Sequence, residues 1–216
     1  MRPWSYSRLS TYEDCPKQYQ YSYIENLPGY RPESPAASRG SQIHGECEEY
    51  LLGSRPIYPP SIQRVSAHAM GLKARKAKPE LRLAVTESWE PTDYKAENTY
   101  FRGIIDVCYT EDDAVHIQDW KTGQIYDSHP KQMEVYVALA AAHFPEAKVF
   151  HTRLIYVDQG VVTPAKVTEA ERVKPIRLLL DGRIKNAEED EIFPVRTGSH
   201  CRWCDYSARY GGPCPH

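Results

Sequence analysis

The sequence predicts an α/β or α+β protein, a β-sheet with helices on its faces. Three observations carry this. The apolar residues recur with a helical period up to about residue 77, alternate in the strand manner through residue 122, and return to a helical period at residue 129. The resulting order is helices, three strands, a helix, strands and a helix, with no internal repeat. Finally, 216 residues suffice for one full hydrophobic core but not comfortably for two, so a single domain over residues 1–216 is expected.

Taken in order, residues 6–25, "YSRLSTYEDCPKQYQYSYIE", place Leu9, Tyr12, Tyr19, Tyr23 and Ile24 at loosely helical spacing, with Ser10 or Thr11 as N-cap. Residues 26–38 are Pro- and Ser-rich and read as a loop. In "RGSQIHGECEEYLLG" Ile43, Cys47, Tyr50 and Leu51 form the inner stripe of a second helix, with His44 near that face. The basic segment "SIQRVSAHAMGLKARKA" is a third helix after the break "RPIYPP". "ELRLAVTESWE", "TYFRGIIDVCYT" and "AVHIQDWKT" are rich in β-branched and aromatic residues and read as an antiparallel meander, the last two joined by the turn "EDDA". "HPKQMEVYVALAAAHF" is a strong helix, "KVFHTRLIYVDQG" and "VVTPAKVT" are strands, and "EAERVKPIRLLLDGRIKNAEED" is a helix interrupted near Pro175.

Composition is that of an ordinary globular chain, 41% hydrophobic and 26% charged. The longest apolar stretch, from Val135, is far short of a membrane span, and the start lacks a secretory h-region, so a cytoplasmic location without membrane contact is expected. A net charge of −2 gives no global attraction to nucleic acid, although basic residues cluster at 64–78 and 172–185.

In a reducing cytosol six cysteines do not read as a disulfide framework. Cys201, Cys204 and Cys214 crowd the last sixteen residues, and Gly211, Gly212 and Pro213 supply a turn that can fold the last thiolate back. Three ligands want a fourth: Cys15, followed by Pro16, or else His200 or His216 if the ion is zinc. Spacing alone leaves Zn²⁺ and an iron–sulfur cluster both open.

The turn at Asp112–Asp113 fixes a second constellation. Antiparallel partners around it have numbers summing to 225, which sets Asp106 opposite Asp119, with Lys121 on the same face and Trp120 on the other. Facing carboxylates destabilise a sheet unless something cationic lies between them, either Lys121 or a divalent metal. An oxygen-rich site with one imidazole suits Mg²⁺ or Mn²⁺, and His44, Asp106, Asp119 and Glu87 are the candidate ligands. Gln132 and Tyr136, four apart on the following helix, share a face from which they can steady Lys121 or a phosphate.

The run "GIIDVCYTEDDAVHIQDWKTG" followed by "KQMEVY" resembles the PD-(D/E)xK nuclease superfamily, and its RecB-like branch in the Gln132-x-x-x-Tyr136 helix and the histidine-bearing "GSQIHGECEEYL". "YSRLSTYEDCPKQYQYSYI" with the Cys-rich tail resembles the iron–sulfur subgroup that includes CRISPR-associated adaptation exonucleases and AddB-type nuclease subunits. The chain departs from the pattern in Ile105, where the family name has proline, and in the nine residues before Cys214.

The resemblance implies a restriction-endonuclease-like core with a central mixed β-sheet flanked by helices, its chain ends (1–30 and 195–216) joined by a 4Fe-4S cluster on Cys15, Cys201, Cys204 and Cys214, or alternatively by Zn²⁺. It implies Mg²⁺ or Mn²⁺ on His44, Asp106, Asp119 and the Trp120 carbonyl. Lys121 would orient or deprotonate the attacking water, and Gln132 and Tyr136 would assist placement. The expected activity is that of a DNA exonuclease acting on single strands or free ends, phage- or CRISPR-related, with protein partners in recombination, repair or CRISPR adaptation. The aromatics of residues 19–30 are expected to help track the strand. The alternatives are an inactive nucleic-acid-binding or scaffold protein and a zinc-tailed regulator.

Overall fold

The computed structural model describes residues 3–127 and 129–216. They divide into two compact units, one built mainly from Pro35–Leu178, the other from Trp4–Ser34 together with Leu179–His216.

The first unit holds a seven-stranded sheet. Helices α3 (Pro35–Leu52) and α4 (Ser66–Ala74) precede β1 (Lys78–Val85), β2 (Pro91–Thr92), β3 (Phe101–Glu111) and β4 (Ala114–Lys121). Helix α5 (His129–His143) then leads to β5 (Val149–Tyr156), β6 (Val161–Val162) and β7 (Lys166–Glu169). The strand order is β2-β1-β3-β4-β5-β6, with β7 also on β5. All pairings are antiparallel except β4 with β5, which is parallel because α5 carries the chain back between them. The expected meander is therefore β1, β3 and β4, in a mixed sheet.

Helices cover both faces. Ile43, Cys47, Tyr50 and Leu51 of α3 and Ala69 and Leu72 of α4 bury against Val107, Trp120 and Ile155. On the opposite face α5 packs so closely that a Cβ on Gly103 of β3 would lie 2.8 Å from Leu139 Cδ1 and 3.3 Å from Tyr136 Cε1. Of the β4 side chains, Trp120 goes to the first layer, while Lys121 reaches Gln132 of α5. Successive residues of one strand thus serve the core and the site.

The second unit joins both ends of the chain. Helices α1 (Tyr6–Asp14) and α2 (Pro16–Tyr19) and a π-helical turn at Gln20–Ile24 pack with the second half of α6 (Val173–Glu188), which buries Leu180, Ile184 and Ala187 at helical spacing. Trp4 stacks on Tyr19 at 5.7 Å, and its indole N–H donates to Glu188 at 2.9 Å. The Arg8 guanidinium lies 4.2 Å over the Trp4 ring and donates to Tyr19 Oη at 2.7 Å. Arg183 and Glu13 form a bidentate pair.

Four local expectations are corrected. Ser5, not Ser10 or Thr11, caps α1, its Oγ accepting the Arg8 N–H. Helix α3 begins at Pro35, inside the expected loop, because proline suits a first helical turn. Pro175 leaves α6 unbroken, since it falls in the first turn, where its missing N–H has no partner to lose. Tyr19 is 2% exposed and fills the interior of the second unit, so it offers no surface to a strand of DNA.

The close approach at Gly103 yields a test. Gly103→Ala should destabilise the protein by about 1–3 kcal/mol, because Leu139 and Tyr136 are buried and cannot swing aside. Urea unfolding followed by circular dichroism measures it.

Candidate active site

The β3–β4 hairpin has the register its turn dictates. Val107 pairs with Gln118 and so on to Glu111 with Ala114, every pair summing to 225. Asp112 closes the turn at φ 53°. Backbone pairing stops at Val107 and Gln118. One step beyond, where the same register sets Asp106 against Asp119, the Asp106 carboxylate replaces the ladder: its Oδ2 accepts the Trp120 N–H at 2.9 Å. Strand β4 continues because its other edge is held by β5, through Asp119↔Leu154, Trp120↔Ile155 and Lys121↔Tyr156. Asp106 and Asp119 are both buried, at 8% and 1% exposure.

Strand β1 supplies a further carboxylate. Pro79↔Val107 and Leu81↔Ile105 set Glu80 against Asp106, yet Glu80 is missing from the ladder, because its backbone is left-handed at φ 48° in mid-strand. A non-glycine residue there costs about 1–3 kcal/mol and persists only where its surroundings demand it. His44 Nδ1, projected from α3, lies 3.4 Å from Asp106 Oδ2. Among the described residues, His44, Glu80 and Asp106 form the one group of three whose ligand atoms all lie within 4.8 Å of one another.

Glu87 does not join them. It lies in the exposed turn after β1, seven residues from Glu80 along an extended strand, or roughly 23 Å. Glu80 stands in its place. Tight-turn arithmetic finds Asp106 and Asp119, but residues 86–100 separate β1 from β3, and no turn rule fixes the register across so long a connection. The one local signal was a glutamate inside the strand pattern "KPELRLAV".

On the α5 side, Lys121 Nζ forms an ion pair with Asp119 Oδ2 and donates to Gln132 Oε1 at 2.8 Å. Gln132 Nε2 donates to Tyr136 Oη at 2.7 Å, as four-residue spacing on a helix allows. The relay orients the lysine: Tyr136 fixes the amide, and the amide fixes the ammonium. Trp120 contributes its N–H to Asp106, and its ring is packed in the core.

The electrostatics follow from crowding acids in a poorly hydrated place. Burial and then the Asp106 charge hold the Asp119 carboxyl well above the usual carboxylate range, against Lys121. Burial and Asp106 likewise raise Glu80. Burial opposes the His44 imidazolium, but Asp106, Asp119 and Glu80 together outweigh it and raise its pKa. Burial, then Asp119 and Asp106, raise the Tyr136 phenol, which stays a neutral donor and acceptor. Two carboxylates and an imidazole converging in this way suit a hard divalent cation such as Mg²⁺ or Mn²⁺, which would neutralise the excess charge.

The model of the PD-(D/E)XK nuclease superfamily matches residues 3–209. The chain belongs to the PD-(D/E)XK nuclease superfamily. Membership suggests a metal-dependent phosphodiesterase and implies a nucleic-acid substrate. The mixed sheet flanked by helices is consistent with a restriction-endonuclease-like fold. No curated protein matches the chain. Among solved structures, one described as "Crystal structure of SSO0001" is similar at 15% identity and a TM-score of 0.45, over 100% of this chain and 87% of that one. No described helix is long and apolar enough to cross a membrane.

In this PD-(D/E)XK chain the four cysteines of the sequence pattern all lie in the second unit and line one pocket, together with Tyr21, Val195 and His200. None of the four is in a disulfide. Cys15 Sγ accepts the Arg196 N–H and Cys201 Sγ the Gly198 N–H, both at 3.4 Å. Cys214 is brought back by the Gly211–Gly212 turn: Gly211 has φ 83°, and a Cβ on Gly212 would meet the Tyr206 carbonyl at 2.4 Å. The Cys214 N–H then donates to Tyr206 O at 2.9 Å. No three of the four sulfur atoms come within 4.8 Å of one another.

Metal titration separates the two glutamates. Glu80→Ala should weaken Mn²⁺ binding by roughly tenfold or more, while Glu87→Ala leaves it unchanged, as read by isothermal titration calorimetry.

Proposed function

We propose that the protein is a divalent-metal-dependent deoxyribonuclease that hydrolyses phosphodiester bonds, acting as an exonuclease on DNA ends or single strands. The observation that carries this reading is the convergence of His44, Glu80 and Asp106 beside the Asp119–Lys121 ion pair. A structural ion pair alone would not need a third acid, nor a strained glutamate to provide it.

In this reading Asp106, Glu80 and His44 hold the cation, and Asp119, with the Trp120 carbonyl after it, closes the site from β4. The bound ion supplies Lewis-acid stabilisation of the charge that develops on the phosphoryl oxygens and makes nearby water more acidic. Lys121 presents its ammonium to the attacking water and to the phosphate, held in line by Asp119 on one side and Gln132 on the other. Tyr136, kept neutral, locks the Gln132 amide so that its oxygen faces the lysine. Asp106 has two tasks, since the oxygen near His44 also accepts the Trp120 N–H and fixes β4 against β3.

In this reading Cys15, Cys201, Cys204 and Cys214, which line one pocket, hold a 4Fe-4S cluster, with Zn²⁺ as the alternative. The backbone N–H groups of Arg196 and Gly198 donate to the Cys15 and Cys201 sulfurs, as the hydrogen bonds that surround a ligating sulfur do. The cluster would staple the two chain ends, and its assembly would contribute to folding of the second unit. In this reading the nuclease's protein partners are those of recombination, repair or CRISPR adaptation, as the family resemblance suggests.

Two experiments test the reading. Wild-type protein with Mn²⁺ or Mg²⁺ should degrade labelled DNA, and Lys121→Ala should lower the rate by at least ~100-fold in protein whose circular dichroism shows the native fold. Wild-type protein inert on single- and double-stranded DNA would contradict it. For the pocket, anaerobically purified protein should carry about four irons per chain, and Gly212→Ala, which obstructs the return of Cys214, should lose most of them. Stoichiometric zinc without iron would overturn the cluster.

A further inference from the structure

The loop between Lys121 and α5, together with β5, builds a surface that the proposed chemistry does not use. Ile125 and Tyr126 are 56% and 55% exposed, two large apolar side chains side by side and five or fewer residues from Lys121. Together they form a small exposed apolar patch on this loop. The start of the loop is held at Gly123. Both backbone groups of Gly123 are held: its N–H donates to Asp158 Oδ2 at 2.6 Å, and its carbonyl accepts from Gln159 Nε2 at 2.7 Å. Asp158 is itself fixed by a bidentate pair with Arg39, at 2.5 and 3.0 Å, and by Arg64 Nη1 donating to its carbonyl at 2.6 Å.

The far end of the loop is braced by rings. Tyr126 meets His129 edge-to-face, centroids 5.4 Å apart at 79°. His129 stacks on Tyr156 at 5.7 Å and 29°, with Nδ1 and Oη 3.2 Å apart. Tyr156 is the register partner of Lys121 in the parallel β4–β5 pair, and His129 is one helical turn before Gln132, which holds Lys121. The aromatic row therefore starts beside Lys121 and runs outward to Tyr126, at the carboxyl ends of two parallel strands, where open sheets bind ligands. The edge-to-face contact, with more than half of Tyr126 exposed, leaves a ring face open to solvent.

We propose that Tyr126, with Ile125 beside it, is a stacking subsite for an unpaired nucleobase of the strand whose phosphate lies at Lys121. The inference rests on the nuclease reading above and deepens it: an open ring face next to the phosphodiester site accepts a base of any sequence, but only one that is not occupied in a duplex stack. Single-stranded DNA, or an end that has frayed, is then the substrate this loop selects. Pre-bracing by Asp158 means that little order is lost when the base docks.

The test is binding of fluorescently labelled single-stranded DNA, duplex DNA and an abasic single strand, by anisotropy in Ca²⁺, alongside Mn²⁺-dependent cleavage by the same preparations. Tyr126→Ala should weaken binding of the single strand by roughly five- to a hundred-fold, while Tyr126→Phe stays within about twofold because it keeps the ring. The abasic strand should bind wild type and Tyr126→Ala alike. Ile57→Ala, which removes a 72% exposed side chain elsewhere, should change nothing. If wild-type protein cleaves DNA but Tyr126→Ala binds the single strand as tightly, the subsite is overturned and the nuclease reading stands. A loss of equal size on the abasic strand or on the duplex also overturns it. Failure of the wild type to bind or cleave any DNA removes the nuclease reading itself.

Discussion

Three carboxylates from three adjoining strands, Glu80, Asp106 and Asp119, are crowded into one poorly hydrated end of the sheet, and much of the first unit is arranged around that fact. Register brings Asp106 opposite both of the others, Glu80 across β1 and Asp119 across β4. Burial itself raises the Glu80 and Asp119 carboxyls, and the like charge of Asp106 raises them further. A fold selected for stability alone would replace at least one of them. That all three remain, with His44 and Lys121 at the margin, makes sense if a divalent cation completes the charge balance.

The backbone yields where the acids meet. The β3–β4 ladder ends at Val107 and Gln118, and the Asp106 side chain takes over the duty of a backbone carbonyl toward Trp120. The β1–β3 ladder skips Glu80, whose left-handed conformation turns its carboxylate toward Asp106 and His44. Both irregularities fall in the same row of residues across the sheet, and the β1–β3 register is the same on either side of Glu80. They are local departures that re-aim ligand atoms without shifting the strands, and the packed layers of α3, α4 and α5 hold the rest in place.

Where a short-range rule applies, the site could be read from the sequence. The turn at Asp112–Asp113 sets the hairpin register, so Asp106, Asp119 and Lys121 follow from arithmetic, and the four-residue spacing of Gln132 and Tyr136 gives the relay on α5. The Gly211–Gly212–Pro213 turn likewise announces the return of Cys214. What was not legible depends on long connections or on backbone that breaks its own pattern. Glu80 is hidden by the residues between β1 and β3 and by a φ value that strand propensity does not foresee, which is why Glu87 was the wrong glutamate. The parallel placement of β5, on which the aromatic row beside Lys121 depends, follows only once α5 is known to cross over.

The most direct measurement is the anomalous diffraction of a crystal grown with Mn²⁺. A peak coordinated by Glu80, Asp106 and His44, with Lys121 close by but not a ligand, is the result predicted from the present geometry. A well-ordered crystal at saturating Mn²⁺ with no peak there, or with Glu80 turned away and its ladder pairing to Asp106 restored, would contradict it.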